Sequence, residues 1–372
     1  MSTLNFTGFA VSGDSVGHSR ITDLALVMLG GSTHLYSTTR YDGVLQHWDI
    51  RSSEIELGDN RAFEGPLQAG AVSGLATISL GSSTGILTGG AQNGDLQLVS
   101  LGGTGAFTAA SALTTLPPTF HGFQHASTIA LPDGTQAVFG ALAGAIGIGR
   151  MRFTDEGALI GHTVLQDPTA NTASQITGTT YVTIAGQVFL LSISANQNGL
   201  TSRSVTADGT LTNVQSIGTS DGLWIDAPTA IATAFIGGKT YAIVASANTD
   251  SLSVVEIAPD GSMAVRDHLM DSRETRFGGV NALEIVESDG KTYVIAGGAD
   301  DGFSVLMLLD GGLLVHRASI EDTVDYTLDN VSALAAIRRA SGLDIFVASS
   351  SEAGISQLHY ETGFAGITAT AV

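Results

Sequence analysis

A small polar residue recurs at intervals of about 52 residues along the chain, always one position after an alanine, proline, valine or isoleucine. The recurring residues carry a hydroxyl or an amide: Thr22, Ser73, Ser127, Thr177, Thr229, Asn281 and Ser332. Alternate residues of a strand face opposite sides, so this set shares one side of its strands. Such groups can bind a ligand, or they can form hydrogen bonds with ordered water and with buried backbone groups. The sequence favours the second interpretation and leaves the first open.

The elements that must position these side chains repeat with the same period. Seven runs rich in Val, Ile, Tyr and Phe start 51, 51, 51, 53, 52 and 52 residues apart, the first at His34. Short runs of this composition bounded by glycine predict β-strands. A Gly, Asn or Asp turn and a second strand follow each run, and Asp-Gly pairs such as Asp260-Gly261 mark a further hairpin. Each unit therefore holds four antiparallel strands.

Seven such units, with no helical periodicity between them, predict an all-β fold, a seven-bladed β-propeller of four-stranded antiparallel blades. Innermost strands line the axis of a propeller, so the recurring polar residues should ring a hydrated channel. We predict a single domain, 1–372, whose blades span residues 19–66, 70–116, 124–168, 174–220, 226–272, 278–322 and 329–372.

The segments at both ends of the sequence are predicted to be outermost strands, although a ring of seven blades needs only seven such strands. Residues 3–11 resemble the last strand of a blade, and so do residues 364–371. The favoured interpretation is that the N-terminal segment closes the last blade and the C-terminal segment is a tail or a fifth strand. Alternatively, the spare strand pairs with the exposed edge of another subunit and causes self-association.

Composition excludes several classes of function. The chain has 35 acidic and 15 basic residues, a formal net charge of −20, and would repel a polyanion such as nucleic acid. It has no cysteine, which rules out disulfides, thiolate zinc sites and cysteine nucleophiles. No apolar run is long enough for membrane insertion. The first residues lack the basic and apolar regions of a cleavable signal peptide.

Three segments carry a resemblance to known families. Residues 40–49, RYDGVLQHWD, look like the third strand of a WD40 blade. Residues 241–263, YAIVASANTDSLSVVEIAPDGSM, and 293–314, YVIAGGADDGFSVLMLLDGGLL, resemble bacterial lactonase-type propellers and the propeller regions of secreted RTX (hemolysin-type calcium-binding) proteins. The RTX calcium-binding nonapeptide GGxGxDxUx is absent, so its calcium roll does not carry over. Because the likeness runs through repeats, it is specific for fold and weak for activity.

In propellers the loops before the innermost strands form the usual ligand face. The resulting candidate ligand-binding residues are Arg20, Thr22, Ser73, His125, Ser127, Gln175, Thr177, Thr229, Asn281, Asn330 and Ser332. The lactonase resemblance implies a divalent cation at the axial mouth, for which the candidate oxygen ligands are Asp23, Asp226, Asn281, Asp329 and Asn330. Such hard ligands suit Ca²⁺, and His125 would then act as the catalytic base. Turn formation by Asp and Asn is the simpler interpretation.

Because the sequence shows no convergent acid–base set, we prefer a non-enzymatic function. The chain would be a secreted or surface-associated bacterial scaffold that binds a protein, a glycan or its own subunits, with no cofactor except, in the cation interpretation, Ca²⁺. The alternative is a metal-dependent, lactonase-like hydrolase with an axial divalent cation. An extracellular or cell-surface location follows from the resemblance, the absence of cysteine and the acidic composition.

Overall fold

The structure, a computed structural model, describes residues 4–10, 20–39, 44–51, 55–62, 74–89, 96–120, 123–142, 146–165, 175–323 and 326–362. Within these ranges the chain forms 28 β-strands arranged as seven antiparallel sheets of four strands. Two short 3-10 helices, Pro118–Phe120 and Thr219–Asp221, follow the second and fourth sheets. No helix in the described part of the chain is long and apolar enough to cross a membrane.

The first strand along the chain, β1 (Leu4–Ala10), belongs to the last blade. The next twelve strands form blades 1 to 3, each running from the innermost to the outermost strand. Blade 1 contains β2 (Ile21–Leu29), β3 (Ser32–Thr39), β4 (Val44–Asp49) and β5 (Glu56–Ala62). Blade 2 contains β6 (Gly74–Leu80), β7 (Ser83–Gly89), β8 (Leu96–Leu101) and β9 (Phe107–Ala112). Blade 3 contains β10 (Phe123–Ala130), β11 (Gln136–Leu142), β12 (Ile148–Phe153) and β13 (Leu159–Leu165).

The remaining strands form blades 4 to 7 in the same way. Blade 4 contains β14 (Ile176–Ile184), β15 (Gln187–Ser194), β16 (Gly199–Val205) and β17 (Leu211–Ile217). Blade 5 contains β18 (Pro228–Ile236), β19 (Lys239–Ser246), β20 (Ser251–Ile257) and β21 (Met263–Met270). Blade 6 contains β22 (Ala282–Ser288), β23 (Lys291–Gly297), β24 (Gly302–Leu308) and β25 (Leu314–Glu321). Blade 7 contains β26 (Val331–Arg339), β27 (Gly342–Ser349), β28 (Ile355–Glu361) and β1.

The blades close into a ring, which confirms the predicted seven-bladed β-propeller. Each innermost strand contacts the innermost strands of the blades before and after it, and β2 of blade 1 contacts β26 of blade 7. The outermost strand of blade 7 is β1, which pairs antiparallel with β28 so that Leu4 lies opposite Tyr360 and Ala10 opposite Ile355. The segment predicted at 364–371 lies outside the described residues.

The hydrophobic core is divided among the interfaces between blades. The described residues form seven apolar clusters, and each combines buried side chains of two successive blades. At the closure of the ring, Trp48 of blade 1 and Phe346 of blade 7 belong to one cluster, and both are fully buried. Middle strands such as β11 and β27 are buried along their whole length because both faces pack against a neighbouring blade. Burial of apolar area is the main stabilising contribution to such a ring.

Glycines in the turns between the third and fourth strands fit closely against the preceding blade. Gly261 has a φ of +83°, and a Cβ added there would lie 2.4 Å from Cε1 of Phe189 in blade 4. Gly312 has a φ of +81°, and its added Cβ would lie 2.7 Å from Cε1 of Tyr241 in blade 5. The Tyr241 hydroxyl also donates a 2.7 Å hydrogen bond to the Asp310 carbonyl in the same turn. These Asp-Gly turns therefore serve both hairpin geometry and blade packing.

Replacing Gly261 by alanine tests the packing role of these turns. We expect Gly261→Ala to lower the free energy of unfolding by about 3 kcal/mol, because it adds a steric clash with Phe189 to the cost of a positive φ. Gly186→Ala is the matched control, since Gly186 has the same φ of +83° and no atom within 4 Å of an added Cβ. The control should lose only about 1 kcal/mol in urea denaturation. Equal losses would contradict a packing role.

Candidate functional site

The innermost strands begin around a cavity of about 340 Å³ at one end of the propeller axis. Five of the recurring polar residues predicted to line the channel line this cavity: Thr22, Thr177, Thr229, Asn281 and Ser332. Ser73 lies outside the described residues. The sequence repeat therefore places its hydroxyls and its one amide around a shared space, contributed by blades 1, 4, 5, 6 and 7.

Blade 3 departs from this arrangement. In blades 1, 4, 5 and 7 the recurring polar residue is an extra residue of the innermost strand, where it interrupts the pairing with the second strand of the blade. In blade 3 the interruption falls between Gln124 and Ser127 and contains His125 and Ala126. As a result, Gln124 and His125 line the axial cavity, while Ser127 lines a second cavity of about 690 Å³ further along the innermost strands. Ser127 bonds there to the Thr179 hydroxyl at 3.0 Å.

Most of the ring hydroxyls are engaged by backbone carbonyls of the neighbouring blade. Three such bonds run from Thr177 Oγ1 to the Pro228 oxygen (2.5 Å), from Thr229 Oγ1 to the Val280 oxygen (2.6 Å) and from Ser332 Oγ to the Ile21 oxygen (2.6 Å). Each accepting residue directly precedes the ring residue of the next blade. The hydroxyls thus join successive blades around the axis, a structural task that the sequence-based interpretation had favoured.

Two carboxyl groups break the repetition of the innermost strands. Asp23 follows the ring residue of blade 1, where the other blades have small residues without charge: Gly74, Thr128, Gly178, Ala230, Ala282 and Ala333. Glu284 stands three positions after the ring residue of blade 6, where the other blades have Ala25, Ala76, Ala130, Thr180, Ala232 and Ala335. Sequence analysis considered Asp23 only as a metal ligand and missed Glu284. A lone glutamate among alanines was the signal that could have found it.

Asp23 lies at the wall of the cavity beside His125. Its Oδ2 accepts a 2.8 Å hydrogen bond from the Leu75 N–H of blade 2. A Cβ added at Gly74 would lie 3.7 Å from Asp23 Oδ2 and 3.8 Å from the His125 nitrogen, so the two residues flank the same glycine. Burial raises the pKa of Asp23 to about 6, although the N–H groups of Leu75 and Leu24 favour its ionised form. Asp23 is therefore mostly ionised at neutral pH and is a stronger base than an ordinary aspartate.

Glu284 lies on β22 of blade 6, is partly buried, and is not among the described residues that line either axial cavity. Burial raises the pKa of Glu284 to about 8; a hydrogen bond from the Ala336 N–H opposes the shift, and the charge of Asp23 adds to it. Blade 7 stands between blades 6 and 1, so the two carboxyls do not share a blade interface. Both residues keep partial exposure, which means that water can reach them. At neutral pH one carboxyl of the pair is largely ionised and the other largely protonated.

His125 presents a neutral imidazole to the cavity. Desolvation by the surrounding protein lowers the pKa of His125 to about 4, although the residue keeps contact with solvent at the channel mouth. The residue has a φ of 51°, and its carbonyl accepts a 2.5 Å hydrogen bond from Thr179 Oγ1 of blade 4. Side chains other than glycine seldom adopt such a positive φ, and they persist there when the surroundings hold them. The backbone of His125 is thus held in place, and its neutral imidazole can both donate and accept hydrogen bonds at neutral pH.

Three predicted ligand-binding residues lie at the rim and not in the lining. Arg20, Gln175 and Asn330 each precede a ring residue by two positions and have φ values of 60°, 53° and 54°. The Gln175 carbonyl accepts the Ala195 N–H at 3.1 Å, and the Asn330 carbonyl accepts the Ser350 N–H at the same distance. Their backbones therefore shape the start of the innermost strand. Ligand binding by their side chains stays a prediction.

The candidate cation ligands are not brought together. Asp23 and Asn281 line the cavity, whereas Asp226 accepts hydrogen bonds from Asn198 Nδ2 at 2.8 Å and Asn248 Nδ2 at 3.2 Å. Asp329 lies outside the cavity lining, and burial raises its pKa, as does its neighbour Asp301. Among the described residues no three His, Asp or Glu side chains converge as a metal site requires. These residues do not fit an axial cation, so the chemistry below uses none.

Comparison with solved structures places this propeller beside named lactonases. A Pseudomonas aeruginosa periplasmic gluconolactonase matches with a TM-score of 0.54 and 12% identity, covering 81% of this chain and 85% of that one. A Bacteroides fragilis protein provisionally assigned as a 6-phosphogluconolactonase matches with a TM-score of 0.57 and 14% identity, covering 87% and 88%. A Lactobacillus plantarum protein matches with 0.58 and 14%, covering 87% and 97%. No protein-family model and no curated protein sequence matches the chain.

At these identities the likeness shows the fold alone, a seven-bladed β-propeller. The comparisons contradict the non-enzymatic scaffold that we preferred from the sequence, because two of the three neighbours carry lactonase names. That preference was wrong, and its alternative, a lactonase-like hydrolase, is the better supported. The resemblance to RTX proteins gains no support from these neighbours.

Glu284→Gln should stabilise the protein in a pH-dependent way. The pKa of Glu284 is higher in the folded state, about 8, than its ordinary value of 4.5, so the wild-type protein loses stability as the pH rises between these values. Glutamine stays uncharged and avoids this loss. We expect the variant to gain on the order of 2 kcal/mol at pH 9, after allowance for screening by water, and nothing at pH 4.

The measurement is urea denaturation of both proteins between pH 4 and pH 9. Glu287→Gln is the control, because Glu287 lies on the same strand and is exposed. It should show no pH-dependent difference from the wild type. A Glu284→Gln difference that stays constant with pH would contradict the raised pKa.

Proposed function

We propose that this protein is a hydrolase that opens lactone rings in the axial cavity. The observation that carries the proposal is Asp23 in the cavity lining, largely ionised at neutral pH, together with Glu284 on the innermost strand of blade 6, largely protonated at neutral pH. Two titratable groups whose pKa values are pushed apart are suited to act as base and acid in one reaction. The lactonase names of two structural neighbours support the choice of a cyclic ester as the substrate.

In the first step the Asp23 carboxylate takes a proton from water while the water oxygen bonds to the lactone carbonyl carbon. The electron pair of the carbonyl moves to its oxygen. The Asn281 amide, which is exposed in the cavity, can donate a hydrogen bond to that oxygen as negative charge develops.

In the second step the bond between the carbonyl carbon and the ring oxygen breaks. The departing ring oxygen takes the proton of Glu284 and becomes the hydroxyl of the hydroxy acid product. Asp23 then returns its proton to Glu284 through water in the channel, which restores both groups. The net reaction adds one water molecule to the lactone.

Asp23 is a better base than His125 for this reaction. General-base catalysis is most effective when the pKa of the base lies near the working pH. At neutral pH the value of about 6 for Asp23 is closer than the value of about 4 for His125. We therefore assign His125 a binding role, in which its neutral ring holds a substrate hydroxyl beside Asp23.

A periplasmic or extracellular location accompanies this proposal. It is supported by the periplasmic neighbour from Pseudomonas aeruginosa and by the absence of cysteine from the sequence. Binding of a protein, a glycan or a second subunit stays a prediction from the sequence.

The pH dependence of lactone hydrolysis tests the assignment. We expect kcat/KM for glucono-δ-lactone to fall below about pH 6, as Asp23 is protonated, and above about pH 8, as Glu284 loses its proton. Asp23→Asn should lower kcat by about 100-fold or more, and Glu284→Gln should lower kcat and remove the alkaline limb. Hydrolysis is followed with a pH-stat and corrected for the spontaneous reaction.

Glu287→Gln serves as the control and should retain the wild-type profile. A profile with a limb near pH 4 that disappears in His125→Ala would assign the base to His125 and contradict the role of Asp23. No turnover of any lactone by the folded wild-type protein would overturn the proposed function.

A further inference from the structure

We infer that the axial site accepts uncharged, hydroxyl-rich lactones and rejects those that carry a phosphate or a carboxylate. This inference rests on the proposed function and adds the substrate class to it. The question is whether the substrate carries a charge, since one structural neighbour is named for a phosphorylated lactone and another for an unphosphorylated one.

The cavity wall offers no positive charge to an anion. None of the described residues that line either axial cavity is a lysine or an arginine. Arg20 is the described basic residue nearest along the chain to a lining residue, two positions before Thr22, and it is not part of the lining. Recognition of a phosphate normally uses arginine or lysine side chains, or several backbone N–H groups at a helix N-terminus. The described innermost strands provide neither.

The environment of the carboxyl pair points to the same conclusion. The pKa of Asp23 is shifted by its burial and by two peptide N–H groups. The pKa of Glu284 is shifted by its burial, by one peptide N–H group and by the charge of Asp23. No cation is among them. A phosphate dianion placed beside Asp23 in the cavity would meet a carboxylate whose charge no cation compensates.

Uncharged hydroxyl groups, by contrast, find suitable partners. Gln124 and Asn281 contribute amides to the lining, which both donate and accept hydrogen bonds, and His125 contributes a neutral imidazole. The Asp23 carboxylate accepts hydrogen bonds from hydroxyls. The second cavity adjoins the first at Leu75, Ala126 and Thr179, and it adds the hydroxyl residues Thr77, Ser127 and Thr128 to the lining.

The charge of the whole molecule acts in the same direction. A net charge of −20 creates a negative potential that lowers the encounter rate of anions and leaves neutral solutes unaffected. This contribution is screened by salt, whereas exclusion by the channel wall is not removed by moderate ionic strength. Discrimination that persists at 0.5 M NaCl therefore belongs to the site.

The test compares glucono-δ-lactone with its 6-phosphate as substrates at 0.5 M NaCl. We expect kcat/KM for the neutral lactone to exceed that for the phosphorylated one by at least about 100-fold. Placing a phosphate beside a carboxylate of the same sign in a binding site lowers affinity by several orders of magnitude. Gln124→Arg, which places a cation in the lining, should reduce this ratio at least tenfold. Asn213→Arg is the matched control: it adds the same charge on the exposed outermost strand β17 and should leave the ratio unchanged.

Calorimetry provides a readout that does not depend on turnover. The cyclic ether 1,5-anhydroglucitol has the sugar ring without the carbonyl, and it should bind, whereas its 6-phosphate should not. Hydrolysis of both lactones at similar rates, or tight binding of the phosphorylated ether that is lost in Arg20→Ala, would overturn the inference and leave the proposed function intact. If the neutral ether binds but neither lactone is hydrolysed, the proposed function fails and the binding preference stands.

Discussion

Apolar packing between successive blades is the constraint on which the rest of this molecule depends. Seven clusters, one at each interface, hold seven sheets in a ring and leave the innermost strands around a common axis. Side chains that start those strands then have nowhere to point except into the channel or toward the next blade. The hydroxyls of Thr177, Thr229 and Ser332 take the second option, and Asp23 and His125 remain at the cavity.

Two carboxyls in the channel oppose the stability that this packing provides. Each would be more easily accommodated as an uncharged side chain, and the other blades have alanine, glycine or threonine at the equivalent positions. The same burial that disfavours their charge gives Asp23 and Glu284 their separated pKa values. Enzymes commonly lose some stability at a site whose function requires groups with shifted pKa values. The large interfaces around the ring can tolerate it.

The sequence predicted the fold and much of the cavity wall, because both follow from a regular repeat. Spacing could not show that in blade 3 the irregularity in pairing contains His125 and Ala126, opposite Gly140, whereas in blades 1, 4, 5 and 7 it contains the ring residue alone. Ser127 lines the second cavity and not the first. Glu284 was missed for another reason. An alignment of repeats draws attention to what the units share, whereas the reactive groups here are those that one unit has alone. The preference for a scaffold followed from that omission.

The pairing of β1 with β28 has a consequence for biosynthesis. The strand that completes blade 7 is synthesised before all the other described strands, and its partner follows more than 340 residues later. Until then β1 has no sheet to join, and the faces of blades 1 and 7 that carry Trp48 and Phe346 stay uncovered. Contacts between the chain ends are slow to form, and exposed strand edges invite aggregation. In a nascent chain of this architecture these surfaces therefore stay open to aggregation until the last blade is complete.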